Sequence, residues 1–179
     1  MKREFVFLPA QGILPLPFLS LSGYNEYIPH KGKALHSREG FILIQVILGE
    51  KGAGKTKLIL DMANACTETA KGTIAFVADD DQYMFGLKRD VRFIDASGFH
   101  IDGPKMFYGF LCGMAAQDFD LEHIYVDGFL KIVRHPLETL ENMFKELEGF
   151  SARSGIHIVL SINGDVNAIP EYLKQYLQS

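Results

Sequence analysis

The sequence predicts an α/β protein with a mainly parallel five-stranded sheet, flanked by helices in a three-layer core. From Phe41 onward, apolar runs rich in β-branched residues alternate with segments of helical periodicity, which is typical of strand–helix–strand units. A glycine-rich segment, Gly49 to Thr56, stands between the first apolar run and the first helix. Hydrophobic residues make up 47% of the 179 residues, which is enough for one core in a chain too short for two domains. We therefore expect one domain over residues 41–179.

Five apolar runs predict the strands, and the amphipathic segments between them predict the helices. The first strand, 41–48, leads through the glycine-rich segment into a helix that ends at Gly72, since glycine commonly stops helices. Further helices are expected from Pro104, Pro136 and Pro170, because proline suits the first helical turn. The remaining strands are expected at 73–78, 91–96, 121–126 and 156–162.

Apolar side chains at helical spacing predict which helix faces are buried. In the first helix these are Leu58, Ile59, Met62, Ala63 and Cys66. After Pro104 they are Met106, Phe107, Phe110, Leu111 and Met114, and after Pro136 they are Leu137, Leu140, Met143, Phe144, Leu147 and Phe150. We expect Gly109 and Gly113 to allow close packing of the helix that carries them.

The glycine-rich segment fits the phosphate-binding pattern G-x-x-x-x-G-K-[ST]. Its glycines let consecutive backbone N–H groups turn toward a phosphate, and the following helix adds the partial positive charge of its N-terminus. Lys55 is predicted to contact the β- and γ-phosphates, and Thr56 to bind magnesium. The predicted nucleotide-binding residues are Gly49, Glu50, Lys51, Gly52, Ala53, Gly54, Lys55 and Thr56.

An aspartate ends the fourth predicted strand. The run Ile124-Tyr125-Val126-Asp127 matches a Walker B pattern of apolar strand residues followed by an acid. Ligands of open parallel sheets bind beyond the carboxyl ends of the strands, where Asp127 and the glycine-rich segment would meet. Asp127 is therefore predicted to hold Mg²⁺, through Thr56 or through a water.

Hydrolysis would also need a group that activates water. In many ATPases a glutamate follows the Walker B aspartate, but Gly128 stands there in this chain. Asp79, Asp80 and Asp81 are candidates for the catalytic role, because their strand neighbours the loop strand in one of two common sheet orders. Three carboxylates at a strand end are also typical of a helix N-cap cluster. Hydrolysis is therefore predicted to be slow or dependent on a partner.

Other polar residues near the strand ends have two interpretations each. Ser161 and Asn163 could sense the γ-phosphate by hydrogen bonding, or could simply form a polar turn. Lys131 and Arg134 could neutralise charge on a transferred phosphoryl group, although solvated loop charges are more common.

Composition indicates a cytoplasmic protein that does not bind nucleic acid. The net charge is −4, and the excess of acidic residues lies in residues 41–179. Cys66 and Cys112 have no Cys or His at zinc-ligand spacing, so buried free thiols in a reducing compartment are expected. His123 and His157 are interpreted as packed or edge histidines of their strands. No apolar stretch is long enough to predict a membrane-spanning helix.

Residues 1–40 differ from the rest of the chain. They contain four prolines and an apolar segment, 5–21, without strand or helix periodicity. Three explanations remain open: a secretory signal, an arm that lies across the domain or a membrane surface, and translated upstream sequence before a natural start near Leu43. We treat this segment as an N-terminal extension that is disordered or not native.

Residues 44–179 resemble a family of small bacterial P-loop proteins often labelled twitching-motility or pilus-retraction ATPase-like. The resemblance is carried by the segments IQVILGEKGAGKTKLI, IAFVADDDQYM, RFIDAS and HIYVDGFLKIV. It implies a RecA-type nucleotide-binding core and ATP binding, with Lys55, Thr56 and Asp127 at the motif positions. Family members typically begin just before the first strand, in agreement with a separate extension over residues 1–40.

The leading functional hypothesis is an Mg·ATP-binding protein with weak or partner-dependent ATPase activity that acts on an unknown protein partner. ATP is favoured over GTP because the guanine motif Asn/Thr-Lys-x-Asp is absent. One alternative is a nucleoside-like small-molecule kinase, since the layout also looks like the thymidine kinase core, although without that family's four-cysteine zinc lasso. Another is a non-catalytic, nucleotide-gated interaction module.

Overall fold

The computed structural model describes residues 43–177, so the extension 1–40 and the first two residues of the predicted strand 41–48 lie outside it. The strands are β1 (Ile44–Gly49), β2 (Thr73–Ala78), β3 (Val91–Asp95), β4 (Leu121–Val126) and β5 (His157–Asn163). The α-helices are α1 (Lys55–Cys66), α2 (Pro104–Gln117), α3 (Phe129–Val133) and α4 (Glu141–Ser154). Short 3₁₀ helices span Met84–Gly86, Ala96–Phe99, Leu137–Thr139 and Glu171–Tyr176.

The five strands form one sheet in the order β1-β5-β4-β2-β3, and every neighbouring pair is parallel. The predicted α/β class is therefore confirmed. Parallel pairing brings the carboxyl ends of all five strands to one edge of the sheet. At that edge, β5 lies between β1 and β4, with Gly49 of β1 opposite Asn163 of β5.

Helices cover both faces of the sheet, as a three-layer arrangement requires. Alternate residues of each strand point to opposite faces, so Leu160 of β5 joins one apolar cluster and Val159 joins the other. The larger cluster includes buried residues of α2, α3 and α4, such as Phe107, Phe129 and Phe144. The smaller cluster contains Ile59 and Ala63 of α1, together with Ile47, Ile74, Phe76, Ala78, Val91, Tyr125 and Val159.

Several helix boundaries differ from the predicted ones. The first helix ends at Cys66, and turns rather than further helix lead to Gly72. Pro136 has an extended ψ of 137°, so a 3₁₀ turn intervenes and α4 begins only at Glu141. Helix α3 was not predicted from the sequence, because its five residues are too few for a helical period to be recognised. The segment after Pro170 is a 3₁₀ helix.

Within α2, the predicted buried face is correct at its centre. Phe107 and Leu111 are fully buried, whereas Met106 is 50% exposed. The predicted role of Gly109 and Gly113 in close packing is wrong, because a Cβ at either position would meet nothing within 4 Å. The free cysteines Cys66 and Cys112 are only partly buried.

Candidate functional site

The loop between β1 and α1, residues 50–54, is here called the glycine loop. Gly52 and Gly54 have φ angles of 81° and 93°, a left-handed region that glycine enters without steric cost. Gly54 is also the N-cap residue of α1, and its carbonyl accepts from the N–H of Leu58 at 3.1 Å. Glycine at these two positions therefore turns the chain directly from β1 into α1.

Lys55, the first residue of α1, is 6% exposed. Its Nζ donates to the carbonyl oxygens of Gly49 and Glu50, both at 2.8 Å. Burial lowers the pKa of the Lys55 ammonium, and the carboxylate of Asp127 opposes part of that shift. The lysine side chain thus lies over the glycine loop, with a carboxylate close enough to interact with its charge.

Thr56 and Asp127 are joined directly although 71 positions separate them. The Thr56 hydroxyl donates to Oδ2 of Asp127 at 2.8 Å. Asp127 follows β4 and is 6% exposed, and its backbone N–H donates to the carbonyl of Val77 at 2.9 Å. The fold therefore brings the end of β4 to the first turn of α1.

The second oxygen of the Asp127 carboxylate has a different partner. The hydroxyl of Ser161, which is 2% exposed in β5, donates to Asp127 Oδ1. The same Ser161 oxygen accepts from the backbone N–H of Gly128 at 2.9 Å. Asn163, the other predicted sensor residue, lies opposite Gly49 at the end of β5 and is exposed. The contact between Ser161 and Asp127 was not predicted, although a serine within an apolar strand is a sign of a buried polar partner.

Of the three predicted catalytic aspartates, Asp79 lies beside the Asp127–Gly128 turn. A Cβ added to Gly128 would stand 3.2 Å from Asp79 Oδ1. Asp80 instead accepts hydrogen bonds from the backbone and side chain of Gln82, and Asp81 is exposed.

The sequence suggested that β2, which precedes the three aspartates, could lie next to β1, which precedes the glycine loop. That expectation is wrong for this sheet. Both β4 and β5 separate β2 from β1, because β2 pairs with β4 and β3. The interpretation of the three acids as a helix N-cap cluster also fails, since Tyr83 is the N-cap residue of the short helix that follows. Asp79 reaches the turn after β4 because β2 and β4 are neighbours.

Lys131 of α3 forms an ion pair with Asp79, at 3.2 Å from Nζ to Oδ2. This hydrogen-bonded carboxylate raises the pKa of the Lys131 ammonium. The Lys131 side chain is 59% exposed, so solvent screens the pair. Arg134, the other predicted cation, is exposed at the end of α3 with a left-handed φ of 57°.

The oxygen atoms of Thr56 and Asp127 are chemically suited to Mg²⁺. This ion is commonly held by one or two protein oxygens together with waters and substrate phosphates, rather than by a full protein cage. Within residues 43–177, no group of three or more His, Cys, Asp or Glu side chains is arranged to hold a metal ion. The hydroxyl and the carboxylate joined at the start of α1 are oxygen ligands of the kind that Mg²⁺ takes.

His123 and His157 lie opposite each other on β4 and β5, and their rings stack with centroids 5.0 Å apart. Burial lowers the pKa of His123 from 6.5 to about 4, and repulsion from His157 adds to this, whereas Glu122 opposes it. Burial also lowers the pKa of His157. The pair agrees with the prediction of packed strand histidines.

The pH dependence of stability should report this histidine pair. Unfolded His123 binds a proton near pH 6.5 but the folded form only near pH 4, so acidification favours the unfolded state across that interval. We expect the free energy of unfolding to fall by about 2 to 3 kcal/mol between these pH values through His123. Urea unfolding at a series of pH values measures this loss. A His123→Phe variant should lose less, and an identical pH profile in both proteins would contradict the assignment.

The fold is all-parallel α/β, with Lys55, Asp127 and Ser161 buried at the carboxyl edge of its sheet. Thr56, which is partly buried, is hydrogen-bonded to Asp127 there. No protein-family model matches the chain, and no curated protein matches it either. Among residues 43–177, none of the helices has the length and apolar character needed to cross a membrane.

Proposed function

We propose that the chain is a cytoplasmic Mg·ATP-binding P-loop protein whose ATP hydrolysis is slow or dependent on a protein partner. The observation that carries this proposal is the direct hydrogen bond from Thr56 to Asp127 at the start of α1. Two residues that the sequence motifs assign to Mg²⁺ independently are thereby in contact. The contact is between two residues that lie 71 positions apart in the chain and that belong to two separate motifs.

Phosphate binding would draw on the backbone of the glycine loop, the N-terminus of α1 and the Lys55 ammonium. Lys55 is already held over the loop by two carbonyl oxygens, and an ammonium has three N–H groups. A phosphate oxygen forms a stronger, charge-assisted hydrogen bond than a neutral carbonyl does. Lys55 would therefore bind the β- and γ-phosphates while remaining within the loop.

Magnesium would be held by the Thr56 oxygen, with Asp127 acting through that hydroxyl or through a bound water. Because Thr56 donates its proton to Asp127, the lone pairs of its oxygen remain available to a cation. When bound, the ion would neutralise charge that develops between the β- and γ-phosphates during transfer.

Slow hydrolysis is supported by the residue after Asp127. Gly128 has a φ of 69°, and Asp79 lies 3.2 Å from where its Cβ would be, so a side chain with a carboxylate is disfavoured there. Asp79 is the nearby acid that could orient water, but it is paired with Lys131. A partner that withdraws Lys131 from Asp79 would release this carboxylate.

The proposal is tested by thermal unfolding of the full chain with Mg²⁺ and increasing ATP or GTP. Ligand at a hundred times its Kd adds about 2.7 kcal/mol to stability. We therefore expect ATP to raise the Tm by roughly 5 to 10 °C, and GTP to raise it less. A cooperative transition that neither nucleotide moves would contradict nucleotide binding.

Products distinguish the reaction classes once binding is established. Phosphate release without an acceptor supports an ATPase, whereas ADP formation that requires an added nucleoside supports a kinase. Tight retention of unhydrolysed ATP over many hours supports the nucleotide-gated module, for which Gly128 in place of glutamate is the favouring observation.

A further inference from the structure

The hydroxyl proton of Ser161 is used within the protein. Its single proton goes to Asp127 Oδ1, and its oxygen accepts from the N–H of Gly128. A serine hydroxyl has only one proton to donate, so this conformation cannot also donate to a γ-phosphate oxygen. The geometry therefore favours a role for Ser161 other than the γ-phosphate sensing that its place in the sequence suggested.

The two oxygens of the Asp127 carboxylate accept from hydroxyls of two different elements. Oδ2 accepts from Thr56 in α1, and Oδ1 accepts from Ser161 in β5. The torsion that rotates an aspartate carboxylate is broad and weakly restricted by itself. Hydrogen bonds to both oxygens restrict this rotation, and both Ser161 and Asp127 are buried.

We propose that Ser161 is a positioning residue that orients Asp127 for Mg²⁺, an inference that rests on the proposed Mg·ATP binding. Ser161 holds Oδ1 so that Oδ2 remains directed at Thr56, the residue that would bind the ion. Ser161 is in β5, which lies between β1 and β4 in the sheet. Ser161 touches neither the ion nor the nucleotide, so its contribution is confined to the Mg²⁺-dependent part of binding.

The experiment compares the Kd of ATP in excess Mg²⁺ with the Kd in EDTA, for the full chain and its variants. Ser161→Ala should raise the Kd in Mg²⁺ by about tenfold, as expected for a hydrogen bond to a charged group. The Kd in EDTA should change by less than about twofold, or about 0.4 kcal/mol, because the proposed role of Ser161 acts only through the bound ion. Ser161→Thr, which keeps the hydroxyl, should restore Mg²⁺-dependent binding.

Ser151→Ala is the matched structural control. Ser151 is also a serine buried to 1% exposure, and its hydroxyl donates to the carbonyl of Ile156. This variant deletes the same atom and should lose stability without changing either Kd. If Ser161→Ala unfolds, Ser161→Cys, which keeps the volume with a weaker donor, takes its place and should weaken Mg²⁺-dependent binding in the same direction.

The outcomes separate the two proposals. A wild-type chain that binds no ATP overturns the proposed function and this inference with it. In a second outcome, the wild-type chain binds ATP more tightly with Mg²⁺ than in EDTA while Ser161→Ala shows the same Mg²⁺ dependence. That result overturns the role of Ser161 and leaves the proposed function in place. Equal losses in Ser161→Ala and Ser151→Ala would also overturn it, because stability would then account for both.

Discussion

Replacement of Lys55 by alanine should weaken Mg·ATP binding by tenfold or more while the protein remains folded. A charge-assisted contact to phosphate contributes on the order of 1.5 to 3 kcal/mol, and Lys55 is the buried cation over the glycine loop. Its removal deletes a buried charge together with its hydrogen bonds to the carbonyls of Gly49 and Glu50, and backbone hydrogen bonds of β1 and α1 do not depend on it. Titration calorimetry measures the change in Kd, and far-ultraviolet circular dichroism checks the fold.

Lys57→Ala is the control for loss of charge. Lys57 lies two positions further along α1 and is exposed, so its removal changes the net charge equally but leaves the loop intact. We expect less than about a twofold change in Kd, since exposed charges are screened. Equal weakening by both substitutions would show a general electrostatic attraction, and would remove the specific role of Lys55.

Replacement of Gly72 by alanine, which adds one methyl group, should lower the stability of the protein strongly. A Cβ at Gly72 would stand 1.9 Å from the carbonyl oxygen of Asp120, which accepts from the N–H of Thr73 at 2.7 Å. Backbone at the start of β2 and before β4 must therefore separate. Overpacking costs about 1 to 3 kcal/mol and occasionally more, so we expect the Tm to fall by roughly 5 °C or more.

Gly113→Ala adds the same methyl group, but we expect it to raise the stability of the protein. Gly113 is exposed within α2, where an added Cβ meets nothing within 4 Å. Alanine favours a helix interior over glycine by roughly 0.5 to 1 kcal/mol, so this variant should melt slightly higher. Thermal unfolding of both variants tests the contrast, and a Gly72→Ala protein as stable as wild type would show that the two backbone segments can move apart without cost.

The sequence predicted the strands well because local residues delimit them. Gly72 precedes β2 and Asp127 follows β4, and both strands have the predicted bounds. Strand order could not be predicted, since it depends on contacts between residues far apart in the chain. The start of α4 was also missed, because proline fixes φ but leaves ψ free to be helical or extended.

For the candidate site, the motifs predicted that Lys55, Thr56 and Asp127 lie close together, and the structure places them so. It could not rank the three aspartates, because their distances to Gly128 depend on which strand pairs with β2. Once β2 is known to pair with β4, Asp79 becomes the acid nearest the turn. Likewise, the partner of Ser161 follows only from the position of β5 between β1 and β4.

The position of β5 has a consequence for how the protein is made. It is the last of the five strands to leave the ribosome, yet it lies between the first strand and the strand that precedes Asp127. A nascent chain that lacks β5 has the glycine loop and Asp127, but β1 then lacks the strand that pairs with it in the sheet. Because domains generally fold as units during synthesis, the proposed ATP binding should begin only after translation has passed β5.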